Sequence, residues 1–364
     1  MRQAFINGKI YTGHSVETNR AILVDGEMIV DLVDSSAVPS QFDTIDLKGY
    51  NIAPALIDMQ IYGAGNKLFS ADLSVESLQA TYEYCVKGGC AHFMITMATN
   101  AMEKYSIAFD CVREYWKQGG KGLLGVHLEG PYINPSKRGA HLADYVKKPT
   151  VQEVAQLLEK GKGVFKMMTL APERCDDDVI DLLLKNNILL SAGHSDATYE
   201  QAIKAFDKGI PLATHLYNAM SGLHHREVGM VGAIFSHPKV MCSLVADGIH
   251  VSYPAIRIAK QIMQDRLFLI TDTVTESEGE YIHKFTGDRY ALPDGTLSGS
   301  ALTMMQGVSN MIHHANVPLD EALRMASTYP AKLLTGKKLG KIKKGYEARF
   351  VIFDNALNIQ QVYC

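Results

Sequence analysis

Residues 188–215, ILLSAGHSDATYEQAIKAFDKGIPLATH, hold one full repeat of the pattern that decides the fold. Residues 188–194 open as an apolar run of strand type, and residues 198–208 carry apolar side chains at three- and four-residue spacing, which predicts a helix. Residues 211–215 return to strand character, and both apolar runs end in a histidine, His194 and His215. The same alternation extends in both directions, with strand-like segments at 52–59, 91–97, 123–129, 164–170, 241–247 and 267–272. Helical spacing recurs at 151–160, 178–185 and 254–263, with two further helices expected at 302–314 and 319–334. Eight strand–helix units in a row predict an α/β fold, a (β/α)8 TIM-like barrel.

The chain ends read differently. In the first fifty residues Asn7-Gly8 and Asp25-Gly26 supply the positive backbone angles of two-residue hairpins. Residues 340–364 return to strand character, with 351–353 and 359–363 expected to pair with the N-terminal strands. A small β domain from 1–50 plus 340–364 is therefore expected beside a barrel domain at 51–339. The segment around 294–300 reads as a loop.

Composition narrows the function. At 47% hydrophobic residues the 364-residue chain has ample material for a large core. Its 36 Lys+Arg against 39 Asp+Glu leave a net charge of −3, which gives no general attraction to nucleic acid or anionic membrane. No apolar run is long enough for a membrane span, so a soluble, cytoplasmic protein acting on a small molecule is the expectation. Six scattered cysteines without CxxC spacing argue against a thiolate metal site or disulfide scaffold.

Reactive side chains of such barrels sit where strands run out into loops. Strand three ends at Glu129, strand five at His194, strand six at His215 and strand eight at Asp272. Any one of these histidines alone reads as a hydrogen-bonded structural residue. Four ionisable groups aimed into one apolar barrel mouth, however, are costly without a metal or mutual pairing. Two imidazoles and a carboxylate form the His2Glu donor set of a catalytic metal site, with Asp272 placed to take a proton from water. His127 is two residues before Glu129, on the same strand face but one layer deeper, and reads as a supporting or packing residue.

Seven segments in order carry a resemblance: His127-Leu-Glu-Gly-Pro-Tyr132, Lys137-Arg-Gly-Ala-His141, Ser191-Ala-Gly-His-Ser195, Thr214-His-Leu-Tyr-Asn-Ala-Met220, Gly222-Leu-His-His-Arg-Glu227, Ala246-Asp-Gly-Ile-His250 and Asp294-Gly-Thr-Leu-Ser-Gly-Ser300. The chain resembles the N-acetylglucosamine-6-phosphate deacetylase family of the amidohydrolase superfamily over nearly its whole length. The resemblance implies an amidohydrolase barrel with a β-sandwich from both termini, and hydrolysis of N-acetylglucosamine 6-phosphate to glucosamine 6-phosphate and acetate, in amino-sugar catabolism and cell-wall recycling. It makes Glu129, His194 and His215 metal ligands and Asp272 general base and later acid. His141 becomes the contact to the acetamide oxygen, and Arg226 and His250, with backbone N–H groups near Asn218 and Ala219, the phosphate site. A homodimer or higher homo-oligomer is implied, with Arg226 reaching a neighbouring subunit.

Two-metal relatives carry His-x-His after strand one, where this chain has Gln60 and Tyr62. Neither is a normal transition-metal ligand, so one divalent ion per subunit is expected. His2Glu suits Zn2+ best, with Fe2+, Co2+ and Mn2+ also compatible. Rival readings are the galactosamine epimer as substrate, a cyclic-amide hydrolase or deaminase, and a sugar-phosphate binding protein without turnover. Glu276, Glu278 and Glu280 follow the catalytic strand where the family has small residues, and read as a solvated loop face.

Overall fold

The computed structural model describes all 364 residues. Eight parallel strands, in spatial order matching chain order, form one sheet: Leu56–Ile61, Cys90–Ala98, Leu123–Glu129, Phe165–Leu170, Leu189–Ala192, Leu212–Ala213, Met241–Val245 and Leu267–Ile270. The eighth strand leads back to the first through a parallel bridge between Ile61 and Thr273 and the bonds Asp272 N–H to Gln60 C=O (2.9 Å) and Tyr62 N–H to Thr273 C=O (2.9 Å). These contacts join the sheet edges into a (β/α)8 barrel.

The helices form where local chemistry favours them. Thr198 caps Tyr199–Lys208 in a reciprocal box with Gln201, and Gly209, at φ +122°, ends it. Thr150 accepts the Glu153 N–H at the start of Val151–Lys160. The helix expected at 319–334 is broken into Leu319–Ala326 and Thr328–Ala331. Pro330 explains the break, since its ring cannot continue a helix past the carbonyl of Ala326.

By contact density the chain divides into one compact unit of Met1–Asp58, Cys85–His92 and Thr303–Cys364, and a second of Met59–Tyr84 and Phe93–Leu302. In the first unit, strands Arg2–Ile6, Arg20–Asp25, Met28–Asp34 and Asp43–Asp46 make a four-stranded sheet. Lys9–Tyr11, Val16–Glu17 and Asn51–Pro54 join the C-terminal Phe350–Phe353 and Ile359–Tyr363 in a five-stranded one. Phe5 and Ile22 of one sheet share a buried cluster with Ile10, Ile52 and Phe350 of the other, which makes the pair a sandwich. Each such side chain contributes about 1.5–3 kcal/mol by leaving water.

Three further expectations need correction. The first strand is not one run at 52–59, because Pro54, with no N–H to donate, ends a strand of the sandwich and the barrel strand begins at Leu56. Asp25-Gly26 does turn a hairpin, but Asn7-Gly8 carries the chain from one sheet of the sandwich to the other. The segment at 294–300 is not wholly loop: Leu297–Ser300 is the last strand of an antiparallel meander with Lys284–Phe285 and Arg289–Ala291, turned at Gly295 (φ +86°). Of the cysteines, Cys85, Cys90 and Cys242 are buried, Cys364 is exposed, and none is in a disulfide.

Candidate active site

Glu129 is the last residue of its strand, whereas His194, His215 and Asp272 each stand two residues beyond theirs. All three take left-handed backbone angles, φ +47°, +37° and +55°, a region costly for side chains with a Cβ. Strain of this kind, at the same offset after three strands, marks positions held for what their side chains do. Together these residues line a cavity of about 350 Å³ with His141, His250 and Tyr62.

Glu129 is the hub. Its Oε1 lies 3.4 Å from His194 Nε2 and 3.2 Å from His215 Nε2, and those two nitrogens are 3.0 Å apart. Oε2 faces His141 Nε2 at 3.2 Å and accepts the Tyr62 hydroxyl proton. Burial works against its charge, but His194 and the hydrogen bonds from His141, His194 and His215 hold the carboxyl well below its usual range. For His215 burial also opposes charge, yet the Glu129 carboxylate prevails and raises it.

The outer hydrogen bonds select tautomers. His194 Nδ1 lies 2.8 Å from the Lys137 carbonyl, which can only accept, so Nδ1 carries a proton and Nε2 is the nitrogen that faces Glu129 and His215. His141 is opposite. The Thr99 N–H donates to its Nδ1 at 3.2 Å, leaving the proton on Nε2. Burial, then the neighbouring His194, lower the His141 pKa to about 4, so it is a neutral donor near pH 7.

Gln60 ties the acid–base group to this hub. Its Nε2 donates to Asp272 Oδ1 at 2.7 Å and to Glu129 Oε1 at 3.0 Å. Burial raises the Asp272 carboxyl; His215 opposes this and Glu129 adds to it. Beneath the site, His127 Nε2 contacts Thr169 Oγ1 at 2.8 Å, which continues to Thr214 Oγ1 at 2.8 Å. This buried layer supports the strand ends as a packing and hydrogen-bonding element.

His250 lines the cavity, its Nδ1 2.6 Å from Asp247 Oδ2. Asn218 and Ala219 do so too, but the Asn218 N–H donates to the His215 carbonyl at 3.0 Å and is not free for an anion. Arg226 is exposed in its loop, donates to His225 Nε2 at 3.1 Å and does not line the cavity. A single chain thus gathers every candidate except Arg226. Glu276, Glu278 and Glu280 are exposed, and Glu280 pairs with Lys104 at 2.6 Å. The segment that leads into the meander adds Tyr281 and His283 to the cavity wall, and the Tyr281 hydroxyl donates to the Thr99 carbonyl. Nothing local in the sequence marks either, because only the path of the loop after Asp272 brings them to the cavity.

Ligand atoms of Glu129, His141 and His194 lie within 4.8 Å of one another, a cluster able to hold a divalent cation. A buried donor set of this kind at a barrel mouth is the arrangement that metal-assisted hydrolases use. The amidohydrolase family model matches residues 51–364 and the NagA composite domain model residues 3–52, and the chain belongs to the amidohydrolase family. Within it the chain is similar to N-acetylglucosamine-6-phosphate deacetylases. It is 35% identical to that of Haemophilus influenzae over 97% of this chain and 95% of the relative. It is 31% identical to the N-acetylgalactosamine-6-phosphate deacetylase of Escherichia coli O157:H7, over 92% of each. The structure of the Pasteurella multocida N-acetylglucosamine-6-phosphate deacetylase superposes with a TM-score of 0.95 at 33% identity, covering 100% of this chain and 98% of that one. A substituted Mycobacterium smegmatis deacetylase in complex with N-acetyl-D-glucosamine-6-phosphate gives 0.91 at 25% identity, covering 100% and 97%.

Proposed function

We propose that this protein hydrolyses the acetamide of N-acetylglucosamine 6-phosphate to glucosamine 6-phosphate and acetate, acting in the cytoplasm through the domain at 51–339. The observation that carries the reading is the triangle of Glu129 Oε1, His194 Nε2 and His215 Nε2, with edges of 3.0 to 3.4 Å. A tetrahedral ion with ligands near 2.05 Å has donor edges of about 3.3 Å. His141 is a less suitable third ligand, because its Nε2 carries the proton fixed by Thr99. Glu129, His194 and His215 would therefore hold one divalent ion, for which Zn2+ is the best match to the donors. Such an ion would polarise a carbonyl and bring the pKa of water down to about 7.

The chain's own groups do the rest. Asp272, oriented by Gln60, accepts the proton of the attacking water and passes it to the leaving nitrogen, without which the amine is a poor leaving group. His141 presents a neutral N–H to the oxygen of the acetyl carbonyl as negative charge develops there. His250, oriented by Asp247, and the Ala219 N–H face the phosphate, and binding that remote group aligns the acetamide. Arg226 completes the phosphate site from a neighbouring subunit of a homo-oligomer.

The test is acetate release from N-acetylglucosamine 6-phosphate, its unphosphorylated form and the galactosamine epimer, before and after chelation and metal restoration. Metal-restorable turnover preferring the phosphorylated gluco substrate supports the proposal. Preference for the epimer moves the substrate assignment, and turnover of neither sugar phosphate with any divalent metal removes it.

A further inference from the structure

Glu173 lies in the short turn Pro172–Arg174 after the fourth barrel strand, outside the cavity lining. Its carboxylate gathers three donors from two other segments. Oε1 accepts from Asn134 Nδ2 at 2.9 Å and from the Asp196 N–H at 2.8 Å, and Oε2 from Ser195 Oγ at 2.7 Å. The Ser195 and Asp196 donors directly follow His194. The Asn134 donor begins the turn that ends at Lys137, whose carbonyl holds His194 Nδ1 at 2.8 Å. The Asn134 N–H also donates to the His194 carbonyl at 2.8 Å.

We infer that Glu173 is a positioning residue for the metal centre: it clasps the 134–137 turn to the His194 segment and so sets the ring orientation and tautomer of His194. His194 needs such a clasp. Its left-handed backbone, φ +47°, is a conformation that relaxes unless its surroundings over-determine it. The Lys137 carbonyl fixes the tautomer only while the two segments keep their spacing. Three charge-assisted hydrogen bonds accepted by one carboxylate supply that constraint at both ends. Glu173 is outside the cavity lining, so its route to the site is through His194. The inference rests on the proposed ligand set.

The experiment measures the Zn2+ dissociation constant of the full-length protein by competition with a chromophoric chelator, alongside kcat and KM. Loss of an outer hydrogen-bonding partner typically weakens a metal site about 10- to 100-fold. Glu173→Ala is expected to weaken Zn2+ binding by that factor and to lower kcat more than it raises KM. Glu173→Gln keeps the shared Oε1 acceptor and can donate to Ser195 Oγ, so it should recover most of both. Should Glu173→Ala fold poorly, Ser195→Ala removes one of the three bonds and is expected to weaken Zn2+ binding by a smaller factor. Zn2+ affinity within twofold of wild type in both alanine variants, with His194→Ala losing the metal, overturns the role of Glu173 and leaves the ligand set standing. If wild type itself takes up no divalent metal, or His194→Ala retains it, the ligand reading fails first.

Discussion

Replacing Asp272 with asparagine isolates the proton-transfer role from the geometry around it. The carboxamide keeps the shape, and its Oδ1 still accepts from Gln60 Nε2, a contact now 2.7 Å long. Gln60 can therefore continue to hold Glu129 Oε1, and the triangle with His194 and His215 should persist. What disappears is a group able to take a proton from water and deliver it to the amine. General acid–base catalysis is worth about 100- to 10,000-fold, so kcat should fall by that factor, an increase in barrier of about 3–5 kcal/mol. KM should change much less, because Asp272 acts in the transition state more than in the bound ground state. The assay is steady-state acetate release at pH 7 with metal content determined on the same preparation. A metal-replete Asp272→Asn enzyme retaining kcat within tenfold of wild type would refute the reasoning, since some other group must then move the proton.

Wild type should bind one divalent ion per chain by elemental analysis, and the double variant Gln60→His with Tyr62→His should bind two; two ions in wild type would contradict the expected inertness of Gln60 and Tyr62. His141→Ala should lower kcat roughly 100- to 1,000-fold, the usual loss for one oxyanion donor, and an unchanged kcat would remove it from that role. His283 is buried with its pKa lowered to about 4, chiefly by desolvation, against about 6.5 unfolded. The unfolded chain then binds more protons between those values, so stability is full above about pH 6.5 and declines as the pH falls toward 4. His283→Asn should flatten denaturant-derived stability in that window by up to about 1.4 kcal/mol per pH unit, and parallel curves would show that His283 protonates equally in both states. Mixing Arg226→Ala subunits with Asp272→Asn subunits should restore acetate release if Arg226 serves a neighbouring site; no recovery after demonstrated subunit exchange would place its action elsewhere.

The repeat of apolar runs and amphipathic helices was readable because barrel strands are buried on both faces and their spacing is local. The same regularity made Glu129, His194, His215 and Asp272 legible, since a strand's end is also where a barrel keeps its chemistry. Helix starts at Thr150 and Thr198 were likewise fixed by neighbouring residues. The split at Pro54 and the break before Pro330 had visible signals, because a missing N–H is a property of the residue itself. The meander was harder: its strands Lys284–Phe285 and Arg289–Ala291 are only two and three residues long, too short for periodicity to register.

The amino-acid sequence by itself determined the barrel, the terminal strands and the residue types at the strand ends, all of which depend on spacing within a few residues. Only the tertiary structure decided how those residues are held. Gln60 meets Asp272 across 212 positions, Thr99 sets the His141 tautomer across 42, and Glu173 reaches Ser195 across 22. Such contacts depend on register between strands and on the left-handed turns after them. No local pattern encodes which distant acceptor a side chain will meet, so the protonation pattern of the site, and the absence of Arg226 from the cavity of a single chain, emerge only once the barrel has closed.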